Sequence, residues 1–149
     1  MASPDVAAGH PLGPAIVTAA RALVGTRFRA QGRDAEGLDC LGLVLLASAR
    51  AGVAVVAPEV APALRGTTPQ EAEARLRAAG ARRIGRARPG DLLLASPAAF
   101  QVHLGIATAD GVIEAHAGLG RVVERPLAAG DDWHSAWRLP GGTCDVGEA

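Results

Sequence analysis

Gly37-Leu38-Asp39-Cys40-Leu41-Gly42-Leu43-Val44 passes within a few residues from a polar loop into an apolar run, and the rest of the chain is read outward from that change. From Asp39 to Arg50 the residues are apolar nearly all round, the pattern of a helix buried at the centre of a domain, and Gly52 supplies its stop. Asp39 is placed to cap the helix, which puts Cys40 in its first turn. Unpaired N–H groups and the positive end of the helix dipole favour thiolate over thiol there. A thiol so placed becomes a nucleophile once the fold delivers a histidine beside it.

Upstream, Pro14 suits a first helical turn, Ile16, Ala20, Leu23 and Val24 fall on one face, and Gly25 ends that helix. Residues 1–13 read as a loose lead-in, and Thr26 to Gly37, with its charges, Gln31 and two glycines, as a loop. Downstream, Val53 to Gly66 shows no clear period and is a candidate lid over a cleft. Thr68-Pro69-Gln70-Glu71 then has capping-box spacing with Pro at the first position, which predicts a helix over 69–79 closed by Gly80.

After Arg82 the character changes to short β segments. Pro89-Gly90 turns into a buried strand, Asp91 to Leu94. Val102 to Thr108 and Val112 to His116 flank Asp110-Gly111, a dipeptide favoured in tight hairpins, and Val122 to Arg125 and Ala136 to Leu139 read as further strands. Helices first and an antiparallel sheet second is an α+β arrangement. One domain over 1–149 is expected, with a core at about residues 14–140; no repeat or second domain is visible.

With 149 residues and 49% hydrophobic content the chain is long enough for a real core. Fifteen acidic residues balance fifteen basic ones, so no net field would draw it onto nucleic acid or an anionic membrane. All of the strongly basic residues are Arg, a compositional bias from which no function follows. Cys40 and Cys144 are too few and too far apart for a disulfide framework. A zinc site from Cys40, His103, His116 and Cys144 would lack the closely paired ligands such sites use, so no metal or cofactor is expected. The N-terminus has no basic region followed by an apolar one, so the expectation is a protein made in the cytoplasm and not sent through a general export pathway.

A thiol hydrolase needs a thiolate, a base beside it, a group orienting that base, and donors for the oxyanion. His103 lies in a strand whose neighbours Val102 and Leu104 face the other way. Across the hairpin, Glu114 and His116 share one face of the partner strand and either could accept a hydrogen bond from His103. Plainer readings stand beside these: Cys40 as a small hydrophobe, His103 as structural, and Glu114 and His116 as a polar stripe on an edge strand. His10 and His134 read as ordinary surface or loop residues, and Trp133 and Trp137 as packing anchors.

Ala22-Leu23-Val24-Gly25-Thr26-Arg27-Phe28, then Gly37 to Leu43, Arg88-Pro89-Gly90-Asp91-Leu92, His103-Leu104-Gly105-Ile106 and Val122-Val123-Glu124 together resemble the NlpC family of bacterial cell-wall cysteine peptidases. The likeness covers roughly residues 15 to 140. It is greatest to the branch found in phage tails and gene transfer agents, which shares the Asp-Cys-x-Gly core, the Arg-Pro-Gly-Asp turn and a terminal segment like Trp137-Arg138-Leu139-Pro140. The resemblance implies a papain-like α+β fold and hydrolysis of amide bonds in peptidoglycan stem peptides, typically between D-glutamate and a diamino acid. It further implies a tail or baseplate hub protein as partner and action in the target cell's periplasm or wall. By position Cys40 would be the nucleophile and His103 the general base. His116 is taken as the third polar residue although it lies about one residue beyond the family's spacing, with Glu114, nearly in register, as the alternative. Phe28 stands where many relatives carry a tyrosine whose hydroxyl helps line the oxyanion site, and Leu41 replaces a common serine. Phenylalanine donates no hydrogen bond, so the same resemblance leaves room for a catalytically weak or inactive structural tail protein, or for an acyltransferase or amidase of the broader Cys/His superfamily.

Overall fold

The computed structural model describes residues 9–55, 67–99 and 101–141. Residues 56–66 of the candidate lid at 53–66, most of the N-terminal lead-in and Cys144 lie outside the described residues. Helices come first: α1 (Gly13–Arg21), α2 (Cys40–Ala51) and α3 (Pro69–Ala78). A small hairpin, β1 (Arg33–Asp34) with β2 (Gly37–Leu38), interrupts them. The strands β3 (Arg82–Ile84), β4 (Leu92–Ala98), β5 (Gln101–Ala107), β6 (Gly111–His116), β7 (Arg121–Pro126) and β8 (Trp133–Arg138) then form a six-stranded antiparallel sheet in the order β3-β8-β4-β5-β6-β7. This is the α+β arrangement expected from the order of helical and strand patterns.

Local chemistry explains the helices. Asp39 caps α2 by accepting from the Gly42 N–H at 2.7 Å, and Gly52 takes the left-handed conformation that ends it. Cys40, Leu41, Leu43, Val44 and Ala47 are all buried, so α2 runs through the core with nearly every face covered. In α3 both capping-box bonds form: Thr68 Oγ1 accepts from the Glu71 N–H at 3.1 Å and Glu71 Oε1 from the Thr68 N–H at 2.9 Å. Along the sheet, Leu92, Leu94, Val102, Leu104, Ile106, Ile113, Ala115, Val122 and Trp137 alternate onto the core side, as period two requires. Among the described residues no helix is long and apolar enough to cross a membrane.

Several readings are corrected. The first helix ends at Arg21, because Leu23 and Val24 bond back to Ala20 and Arg21 in tight i to i+3 turns and Gly25 then donates to the Val122 carbonyl at 2.9 Å. Leu23 stays buried, but Val24 is exposed. His10 is not a surface residue: its ring is buried, with Nε2 2.6 Å from the Pro140 carbonyl and Nδ1 accepting from the Leu12 N–H at 2.8 Å. Nor is β6 an edge strand; it pairs on both sides, with β5 and β7.

The Arg-Pro-Gly-Asp turn and the terminal Trp-Arg-Leu-Pro segment turn out to be two halves of one contact. Asp91 accepts from Arg138 Nε at 2.9 Å and from its Nη2 at 2.8 Å, with both side chains buried, and Asp91 Oδ2 also takes the Arg88 N–H at 2.7 Å. This bidentate ion pair fastens β8 to the turn that begins β4.

Candidate active site

The site forms where the start of α2 meets β5 and β6. A cleft of about 510 Å³ there is lined by Phe28, Gln31, Asp39, Cys40, His103, Glu114 and His116, with Ala115 to Gly118 along one wall. Cys40, a free cysteine, is 9% exposed. As the first residue of its helix it carries a backbone N–H with no intrahelical acceptor.

The loop before α2 is held tightly. Asp39 takes the Gln31 N–H on Oδ2 at 2.9 Å and Arg33 Nη1 on Oδ1 at 2.8 Å while capping the helix. The carbonyl of Gly32 lies so close to Gly42 that a Cβ at 42 would sit 1.9 Å from it, which glycine alone permits. Gln31 is held at φ 59°, the one non-glycine residue in the left-handed region among the described residues. Such strain collects at sites that the surrounding structure over-determines.

His103 Nε2 lies 2.8 Å from Glu114 Oε1, which leaves Nδ1 for Cys40. Burial alone would lower the imidazole's pKa. The hydrogen bond and charge of Cys40, then those of Glu114, outweigh it and raise it to about 9. The ring therefore carries a proton at neutral pH. Glu114 is buried, and burial pushes its carboxyl up; the hydrogen bonds and charges of His103 and Arg125 hold it below the ordinary range. Its second oxygen accepts from Arg125 Nε, and Arg125 Nη1 in turn bonds Asp131 at 3.1 and 3.2 Å. The indole of Trp133 stacks on His103 with centroids 5.6 Å apart. Gly105 makes room for it, since a Cβ there would come within 2.9 Å of Trp133 Cη2.

Of the residues singled out from sequence, the structure gathers Cys40, His103, Glu114 and His116 into one cleft. It places the alternative, Glu114, rather than His116, against the imidazole. Extending the register of β5 and β6 would set His103 opposite His116. Pairing covers only Ile106–Ile113 and Ala107–Val112, and the ring reaches diagonally to Glu114. The His116 ring is engaged elsewhere, with Nδ1 accepting from the Leu119 N–H at 3.0 Å. Phe28 lines the cleft and packs on the core. Arg125, Asp131 and the stacking role of Trp133 were missed from sequence. The β6–β7 register carries a signal for Arg125, which lies diagonal to Glu114; nothing local marks Trp133 as a neighbour of His103. Among the described residues no cluster of three or more His, Cys, Asp or Glu is placed to hold a metal ion.

No family model and no curated protein matches the chain. Solved structures do match its fold. The NlpC/p60 domain of the peptidoglycan hydrolase SagA is 22% identical, with 85% of this chain and 98% of that one covered and a TM-score of 0.58. The P60 domain of an antigen from M. avium subspecies paratuberculosis is 19% identical, with 86% and 93% covered and a TM-score of 0.60. The peptidoglycan hydrolase RipB from Mycobacterium tuberculosis is 20% identical, with 93% and 72% covered and a TM-score of 0.59. The fold is thus the papain-like one of NlpC/p60 domains.

Proposed function

We propose that the chain is a cysteine endopeptidase of the NlpC type that hydrolyses amide bonds in peptidoglycan stem peptides, with Cys40 as nucleophile, His103 as acid and base, and Glu114 orienting His103. The observation that carries this reading is the linked series Cys40, His103, Glu114, Arg125 at the mouth of a cleft. Two of the solved structures with this fold are described as peptidoglycan hydrolases, which supports the substrate class.

The chemistry follows from the geometry. The Cys40 sulfur attacks the carbonyl carbon, and the oxyanion that forms is met by the backbone N–H at the start of α2. The His103 imidazolium gives its proton to the leaving amine as the C–N bond breaks, which leaves a thioester on Cys40 and a neutral imidazole. That imidazole takes a proton from water, the hydroxide adds to the thioester, and release of the acid restores the thiolate and imidazolium. Glu114, fixed on its far side by Arg125, sets the ring's orientation and stabilises its charge.

The sequence resemblance to the phage-tail and gene-transfer-agent branch supports a tail location, with a tail or baseplate hub protein as partner and the target cell's wall as the place of action. Phe28 favours a second reading, a structural tail protein that keeps the fold without turnover, because it brings no hydroxyl to the cleft. Incubating purified peptidoglycan with the wild type and with Cys40→Ala, then weighing the soluble fragments by mass spectrometry, separates the two. Fragments from the wild type alone are expected; none from either would leave only the structural role.

A further inference from the structure

Arg27 and Arg121 stand directly opposite each other in an antiparallel bridge, and Arg121 in turn pairs with His116 across β7 and β6. Cross-strand partners project on the same face, so three basic side chains form a row whose inner end, His116, is on the rim of the cleft. Like charges directly opposite each other destabilise a sheet. Five other arginines are matched with carboxylates: Arg21 with Glu124, Arg33 with Asp39, Arg83 with Glu73, Arg125 with Glu114 and Asp131, and Arg138 with Asp91. Among the described residues Arg27 and Arg121 have no such ion pair, and both are exposed. Arg121 Nη1 reaches the Leu119 carbonyl at 3.4 Å, on the same turn that His116 braces, and of the three only His116 lines the cleft itself.

We infer that Arg27 and Arg121 form a subsite for a free carboxylate of the substrate, a reading that rests on the proposed peptidase activity and specifies which stem peptides it takes. Arginines at opposed positions of neighbouring strands offer two planar guanidinium forks on one face, and such forks suit bidentate recognition of a carboxylate. Neighbouring strands lie about 4.8 Å apart, so Arg27 is roughly 10 Å from His116. An extended peptide advances about 3.4 Å per residue, which places the recognised carboxylate within about three residues of the scissile bond. The charge row thus reads an acidic peptide whose carboxylates are free and disfavours one in which they are amidated.

The test compares a synthetic stem peptide carrying its free carboxylates with the same peptide amidated at those positions. Cleavage is followed with the wild type and with the double variant Arg27→Gln/Arg121→Gln; binding to Cys40→Ala is measured by calorimetry, with and without the two arginines. The free-carboxylate peptide is expected to be preferred about tenfold in both assays, the cleavage preference residing in KM, and to lose that preference when both arginines are replaced. Equal or absent binding of the two peptides by Cys40→Ala, or a preference that survives the double substitution, overturns the subsite. A binding preference without cleavage by the wild type upholds the subsite and removes the peptidase reading instead.

Discussion

Replacing Glu114 by Gln keeps the shape of the side chain and deletes its charge. Two contacts then change at once in a buried place, the 2.8 Å bond to His103 and the bond from Arg125. A glutamine has one acceptor oxygen where both neighbours need one. It therefore either leaves Arg125 without its carboxylate or turns an N–H toward an imidazole that must then be neutral. Breaking a buried charge pair by removing one partner costs about 3–5 kcal/mol of stability. Loss of a correctly held general acid and base costs about 10²–10⁴ in rate. Because Glu114 is one of the two groups that raise the His103 pKa to about 9, the alkaline limb of kcat/KM also moves to lower pH in the variant. Urea denaturation and stem-peptide cleavage across pH measure both effects, with His116→Ala as the companion variant expected to keep activity within tenfold of the wild type. Near-wild-type turnover in Glu114→Gln alongside a hundredfold loss in His116→Ala would refute the assignment and hand the orienting role to His116.

Other outcomes follow from the same geometry. In the wild type kcat/KM should hold up to about pH 9 and fall above it, as the imidazolium loses its proton. The His103 ring resonances followed by NMR should titrate at lower pH in Cys40→Ala, which lacks the partner that raises the ring most. Asp91→Ala leaves Arg138 buried without its carboxylate and should lower stability by about 3–5 kcal/mol, read as a drop of roughly 10 °C in Tm at constant cleft chemistry. Phe28→Tyr adds a hydroxyl at the cleft wall and should raise kcat about tenfold or more if that oxygen reaches the oxyanion, with KM little changed.

Much of this architecture was legible wherever one residue type has one local job. Asp39 before an apolar run, Thr68 three residues ahead of Glu71, and Asp110-Gly111 between alternating segments each specify a structure from within a few positions, and the helices and hairpin formed there. What could not be read depends on partners distant in the chain. His10 looks like a loop residue until Pro140 is brought to it, and Trp133 like a packing anchor until β8 carries it over His103. The hairpin β1–β2 is too short to leave a period. Glu114 and His116 are equivalent by periodicity, and only the early end of the β5–β6 ladder decides which of them the imidazole meets.

The placing of β8 in the sheet has a consequence for biosynthesis. It is the last of the described strands along the chain, yet it lies between β3 and β4 and supplies the indole that covers His103. A nascent polypeptide that has emerged only as far as β7 has a split sheet, an unfastened Asp91 and an imidazole without its aromatic cover. Closure of the sheet and the cover over His103 thus wait on residues 133–138. A chain cut short before β8 would keep Cys40, His103 and Glu114 but lose both the aromatic cover of the imidazole and the Asp91–Arg138 fastening.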